Sequence, residues 1–195
     1  MPEMQESQVG RGEKMTERKW ARKGFIQTAG FREVARVVGA ELTGYDYALI
    51  GGLAVSYYIN PPVTIDTDFL VEAEFEELQK TTITPLERKG WRVGLLRFTS
   101  IRKGFPRKGY QLKKGKLIVD LIVTGKDEYL QGVVRNAFLS SVGGQEMKVV
   151  RPDDLVVIKS LVGRDKDLDD VAELSRVLGA KLDWGYIDRK IQELE

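Results

Sequence analysis

From residue 31 to 44, "FREVARVVGAELTG" places Phe31, Val34, Val37, Val38 and Leu42 near helical spacing, and Gly44 closes the segment. "YDYALI" (45–50) reads as a short strand that runs straight into Gly51-Gly52. "LAVSYYI" (53–59) reads as a short helix stopped by "NPP". A second strand, "TIDTDFLV" (64–71), follows. The amphipathic stretch "EFEELQKTTITPLERK" (74–89) predicts a helix, and Pro85 inside it predicts a kink or a break. "GWRVGLLRFTSI" and "YQLKK" read as strands joined by the turn-rich "RKGFPRKG". "KLIVDLIV" (116–123) is almost continuously apolar, the pattern of a central strand buried on both faces. After a mixed stretch come three helical patterns: "RPDDLVVIKSLVG", with Pro152 and acids in its first turn, "KDLDDVAELSRVLG" and "DWGYIDRKIQELE".

These elements predict an α+β fold. A mixed β-sheet core with flanking helices is expected over residues 24–150, and a small helical C-terminal subdomain over 151–195. Residues 1–23, polar, charged and punctuated by glycine, are expected to form a flexible arm. The length of 195 residues, with 42% hydrophobic and 31% charged positions, suits one ordinary domain with a small appendage. No apolar run approaches the roughly 20 residues that cross a bilayer. The first twenty residues hold no apolar signal segment, so a cytoplasmic location is expected, with no membrane partner.

The chain has no Cys and no His. That excludes disulfides, thiolate nucleophiles, zinc sites built on those ligands and a histidine general base. Chemistry falls to carboxylates, Lys, Arg, Tyr, Ser and Thr, and any metal must accept oxygen ligands, as Mg²⁺ and Mn²⁺ do. The net charge of +2 hides an asymmetry. Residues 88–116 hold eleven basic residues and no acid, leaving 20 basic against 29 acidic residues elsewhere. A basic segment on an otherwise acidic chain suits a polyanion. Phe98, Phe105 and Tyr110 interleave with its charges, as stacking on bases would need. An edge hairpin protected by Lys and Arg against aggregation would look the same.

The sharpest local feature is a pair of carboxylates, Asp66 and Asp68, at positions i and i+2 of an apolar strand. Such side chains share one face, where like charges repel and burial is costly. Asp120, inside "LIVDLIV", is a third such acid. If the two strands are neighbours, the three acids converge, and divalent cations turn their repulsion into shared coordination. Gly51-Gly52, at the turn from strand into helix, would present bare backbone N–H groups to an anion. Phosphates at the glycines would then adjoin metal at the acids. The alternatives are a solvated acid pair at a strand end and a glycine pair that is only a tight turn.

"LIGGLAV…TIDTDF…IVDLI" resembles the nucleotidyltransferase superfamily that includes DNA polymerase beta: a hydrophobic-Gly-Gly turn, Asp-x-Asp, then a third acid on a later strand. "DDLVVIKSLVGRDKDLDDVAEL" is most similar to the AbiEii-like toxin branch. The resemblance spans about residues 31–178. It implies that Asp66, Asp68 and Asp120 bind Mg²⁺ or Mn²⁺ and that Asp120 takes the proton of the attacking hydroxyl. It also implies that Gly51 and Gly52 hold the triphosphate and that Thr64 supports the acid loop. Lys159 would offset phosphate charge, with Arg164, Lys166, Asp167 and Asp170 shaping the same cleft. Pro62 stands where the family often carries Arg, and Thr67 where it usually has an aliphatic residue. Lys159 could equally extend from a helix face, and Lys166, Asp167 and Asp170 suit any exposed helix start.

The activity implied is metal-dependent transfer of a nucleoside monophosphate from an NTP to an acceptor hydroxyl. An RNA end, for example of tRNA, is the favoured acceptor, with Arg102, Lys103, Arg107 and Lys108 as its contacts. The AbiEii-like branch further implies the toxin of a toxin–antitoxin pair, and so an antitoxin protein as partner. Two rival readings stand beside this: an inactive relative that binds RNA or protein through the basic segment, and a metal-dependent sugar transferase, which would leave Gly51-Gly52 without a task.

Overall fold

The computed structural model describes residues 29–59, 66–98, 107–142 and 145–195. The expected arm (1–23) and Pro62, Thr64, Arg102 and Lys103 therefore lie outside the described residues. The first helix is α1 (Ala29–Glu41), and β1 (Asp46–Ile50) passes without a loop into α2 (Gly51–Tyr58). β2 (Asp66–Glu72) carries both acids of the Asp-x-Asp pair.

The helical stretch containing Pro85 does not break. α3 (Phe75–Leu78) continues through a π-helical turn, Gln79–Ile83, into α4 (Thr84–Arg88). A proline ring needs the carbonyl one turn back to move away, and the wider turn just before it makes that room. Thr84 closes the turn, giving both its backbone N–H and, at 2.9 Å, its hydroxyl to the carbonyl of Gln79.

β3 (Arg92–Phe98), β4 (Arg107–Lys114) and β5 (Leu117–Val123) follow as a meander. The mixed stretch beyond them resolves into α5 (Glu128–Asn136) and a hairpin of β6 (Phe138–Val142) and β7 (Gln145–Val149). Asp127 caps α5, its carboxylate accepting the Leu130 N–H at 3.0 Å. Three helices end the chain: α6 (Pro152–Val162), α7 (Asp165–Leu178) and α8 (Trp184–Leu194). Among the described residues no helix is long and apolar enough to cross a membrane.

The seven strands form one mixed sheet in the order β3-β4-β5-β2-β1-β7-β6. β2 runs parallel to β5 and β1 parallel to β7; the other neighbours are antiparallel. β5 is interior, but it is not buried on both faces as its apolar run predicts. Val119, Leu121 and Val123 are buried, whereas Ile118, Asp120 and Ile122 on the other face stay half-buried. Strand alternation thus sets one packed face against one partly open face, and the open face is the one that holds the acids.

α2 is buried over Leu53–Tyr58, apolar almost all round. It is pinned at its end by the Tyr58 hydroxyl, which donates to the carbonyl of Val150. The C-terminal helices share the core of the sheet through Leu155, Val156, Val157, Leu174, Leu178 and Ile187. Buried acids in the first turn of α6 tie them down. Asp153 accepts the Asp183 N–H at 2.8 Å, and Asp154 accepts the Tyr186 hydroxyl at 2.5 Å.

Candidate active site

Strand register lays the acid-bearing face out in rows. The middle row runs Ile50, Asp68, Asp120, Gln111, Gly94 across β1, β2, β5, β4 and β3. Asp68 and Asp120 are therefore direct neighbours on adjacent parallel strands, about 4.8 Å apart in backbone. The row beside it runs Asp66, Ile118, Lys113, Arg92. Asp66 is exposed at the start of β2, and Thr67 between the acids is buried on the opposite face.

Gly51 meets this row directly. Its φ of +67° lies in the left-handed region, and a Cβ there would stand 2.0 Å from Asp68 Oδ2. Only glycine lets α2 start against that carboxylate. The first-turn N–H groups of a helix have no partners within it, and the N-cap residue of α2, Ile50, has no side chain that caps it. Gly51 and Gly52 form the first two residues of the helix, so its first-turn donors start beside Asp68.

The electrostatics of the acids are strained. Burial, then the charges of Asp120 and Asp66, push the Asp68 carboxyl from its ordinary 3.8 up to about 7, against the opposing pull of Lys159 and Lys166. Asp120 is also raised, chiefly by burial, with Asp66 adding and with a Gln111 hydrogen bond and Lys113 opposing. Gln111 Nε2 donates to Asp120 Oδ1 at 3.0 Å, which leaves Oδ2 for other work. Nothing in the local sequence singles out Gln111, because its role depends on the pairing of β4 with β5.

Around α6 and α7 the anticipated residues form one network. The buried Lys159 ammonium reaches Asp167 at 2.9 Å and Asp170 at 2.7 Å, and Arg164 Nε reaches Asp167 at 2.6 Å. Burial alone would raise the Asp167 carboxyl, but the hydrogen bonds from Arg164 and Lys159 outweigh it and hold it below its ordinary value. Lys159 is thus a fixed internal node, not a side chain extended into solvent. The network faces the acids: Lys159 and Lys166 act on Asp68, and Asp68 acts on Arg164.

Oxygen-only donors fit Mg²⁺ or Mn²⁺, and Asp68, half-buried and crowded by two other acids, is the group a cation would relieve. Among the described residues no three acidic side chains are gathered tightly enough, as they stand, to hold a metal ion. Mg²⁺ commonly takes one or two carboxylates together with substrate phosphates and water, and the Asp68–Asp120 pair meets that smaller demand. Of the anticipated RNA contacts, Lys108 lies 5.4 Å over the ring of Phe75. That is the face away from the acids. Arg107 is described only as a strand position, at the start of β4.

The glycine turn pressed on one of a row of strand acids is the arrangement that the resemblance to the nucleotidyltransferase superfamily implies. The family described as "Nucleotidyl transferase of unknown function (DUF2204)" matches residues 28–195, and the chain belongs to it. The fold is shared with a solved antigenic nucleotidyltransferase-like protein from Paracoccidioides brasiliensis, at 17% identity and a TM-score of 0.50, over 88% of this chain and 89% of that one. It is also shared with the antibiotic-resistance factor ANT(2'')-Ia, at 12% identity and a TM-score of 0.54, over 83% of this chain and 89% of that one. No curated protein matches the sequence. At such identities the likeness to solved structures extends to the fold alone.

Proposed function

We propose that the protein transfers a nucleoside monophosphate from an NTP to an acceptor hydroxyl, with Asp66, Asp68 and Asp120 as its catalytic acids. The observation that carries this reading is the Asp68–Asp120 pair on adjacent strands, with Gly51 against Asp68. These acids would hold Mg²⁺ or Mn²⁺, which supplies positive charge to the attacking and leaving oxygens of an in-line displacement. The first-turn N–H groups at Gly51 and Gly52 hold the triphosphate. Lys159 and Lys166 balance phosphate charge from positions set by the Asp167, Asp170 and Arg164 network.

Asp120 Oδ2, the oxygen not engaged by Gln111, takes the proton of the acceptor hydroxyl. The acceptor oxygen forms its bond to the α-phosphorus as the bond to the bridging oxygen breaks, and pyrophosphate leaves with that electron pair.

An RNA end is the acceptor this reading favours, on the strength of the acid-free basic segment at 88–116. The Lys159 and Asp167–Asp170 network supports the AbiEii-like assignment, and with it the role of a toxin countered by a protein antitoxin. Incubation with each labelled NTP, Mg²⁺ and total RNA, followed by sizing of the product, tests the activity. Label should enter an RNA species, and Asp120→Asn should abolish incorporation while its circular dichroism stays that of the wild type. Turnover retained by Asp120→Asn removes its assigned role. A preparation that shifts RNA on a gel yet never binds NTP identifies a binding module instead.

A further inference from the structure

Strand parity divides the basic segment into two groups that sequence proximity runs together. Lys108 and Lys114 belong to the face turned from the acids, where Lys108 lies over Phe75 and Lys114 stands 5.9 Å from the centre of the Trp91 ring. Arg92 and Lys113 belong to the acid face. Gln111 fixes this: it bonds Asp120, lies two positions before Lys113 on β4, and so shares its face. Arg92 is the direct cross-strand partner of Lys113 on β3.

Like charges placed directly opposite on a strand pair repel. Both side chains are exposed, and neither forms an ion pair among the described residues. The row they end reads acid, apolar, cation, cation: Asp66, Ile118, Lys113, Arg92. On the same face the half-buried Ile118 in their own row and the exposed Gly94 in the next leave a low floor beside them, and the half-buried Ile122 and Leu96 lie one row further on, past Asp120 and Gln111. One anion seated between the two cations relieves their repulsion, and a flat apolar group can lie next to it.

We propose that Arg92 and Lys113 clamp a phosphodiester of a single-stranded RNA 3′ end, placing the terminal ribose and base on the floor before Asp120. Two residues of strand separate the clamp from the level of Asp120, about 7 Å, comparable with the reach of one nucleotide. Ion pairs to phosphate give the grip, and the apolar floor gives tolerance of base identity. The orientation of the 3′-hydroxyl rests on the transferase reading; the clamp does not.

The full chain, without NTP or metal, is titrated into a fluorescently labelled single-stranded RNA oligonucleotide and followed by anisotropy at several salt concentrations. Arg92→Gln with Lys113→Gln should lower affinity at least tenfold. The slope of log affinity against log salt should shrink by about 0.7, one phosphate's share for a single strand. The reverse-face pair, Lys108→Gln with Lys114→Gln, should change affinity less than threefold, and the charge-preserving Arg92→Lys with Lys113→Arg should retain it. Equal losses from the two Gln pairs, or none from the acid-face pair, overturn the clamp. So does a wild type that ignores RNA and binds an acidic protein segment instead. If the clamp holds but no NTP is ever incorporated, the transferase reading falls and the clamp stands. Incorporation into a non-RNA acceptor by a protein that ignores RNA gives the converse.

Discussion

Gly51→Ala separates a backbone cost from a catalytic one. A left-handed φ of +67° at an L-residue costs about 1–2 kcal/mol, which for a chain of this size lowers Tm by about 2–8 °C. The new methyl also enters the acid site, standing 2.0 Å from Asp68 Oδ2, 2.6 Å from its Cγ and 2.9 Å from its Cβ. To regain an ordinary contact the Asp68 carboxylate must retreat by more than 1 Å. Displacements of about 1 Å at reacting groups cost about 100-fold in rate.

Gly163 offers a matched control. It has the same φ of +67° at the end of α6, and a Cβ there would meet only the carbonyl of Ser160, at 3.5 Å. Thermal melts of both alanine variants should therefore fall, and further for Gly51→Ala, whose methyl must also displace Asp68. NTP incorporation and calorimetric Mn²⁺ affinity should collapse for Gly51→Ala and persist for Gly163→Ala. Unchanged Mn²⁺ affinity and turnover in Gly51→Ala would refute the placement of the glycine turn against a working acid. Equal losses in both variants would show that backbone strain alone explains the effect.

The raised Asp68 carboxyl predicts a pH dependence in metal-free protein. Between about pH 4 and 7 the folded state holds more protons at this group than the unfolded state, so stability declines as pH rises across that window. Melts in chelator from pH 4.5 to 8 should show that decline, flattened in Asp68→Asn, while divalent-ion affinity climbs over the same range; a pH-independent affinity would contradict the assignment. Lys159→Met removes the ammonium shared by Asp167 and Asp170, leaving the buried Asp167 to Arg164 alone and Asp170 without its Lys159 partner. It should destabilise the protein by about 3 kcal/mol, read by denaturant unfolding, and adding Asp167→Asn with Asp170→Asn should recover part of the loss; no change on Lys159→Met would place the network on the solvated surface.

The acid site was legible in the sequence because its chemistry is local. Asp66 and Asp68 share a face by parity, Asp120 is conspicuous inside an apolar strand, and Gly51-Gly52 sits where a strand turns into a helix. The α+β class was legible for the same reason, since periodicity marks β1, β2, β5 and the C-terminal helices. Two elements were harder to see. α5 has short apolar spacing, Leu130, Val133 and Val134, opened by Asp127. The β6–β7 hairpin is only half apolar and lies at an outer edge of the sheet, so its alternation is faint. Pro85 predicted a kink or a break, and a π-helical turn stands just before it in place of a break.

The basic segment is where local reading fails in the most instructive way. Charge density along a chain adds up regardless of face, but a ligand meets only one face of a sheet. Lys108 and Lys113 are five positions apart on one strand, an odd separation that sends them to opposite sides. Which side matters is decided by Gln111 and its bond across to Asp120, that is, by a pairing between β4 and β5. The same pairing opposes Ile118 to Lys113 and so links the cations to the row of Asp66. A polyanion therefore has to approach from the acid side, the side of Asp120, to reach Arg92 and Lys113, whereas approach from the Lys108 side meets Phe75 and the helices behind it. The proposed catalytic and acceptor-binding residues are joined by sheet register, even though they lie in different parts of the sequence.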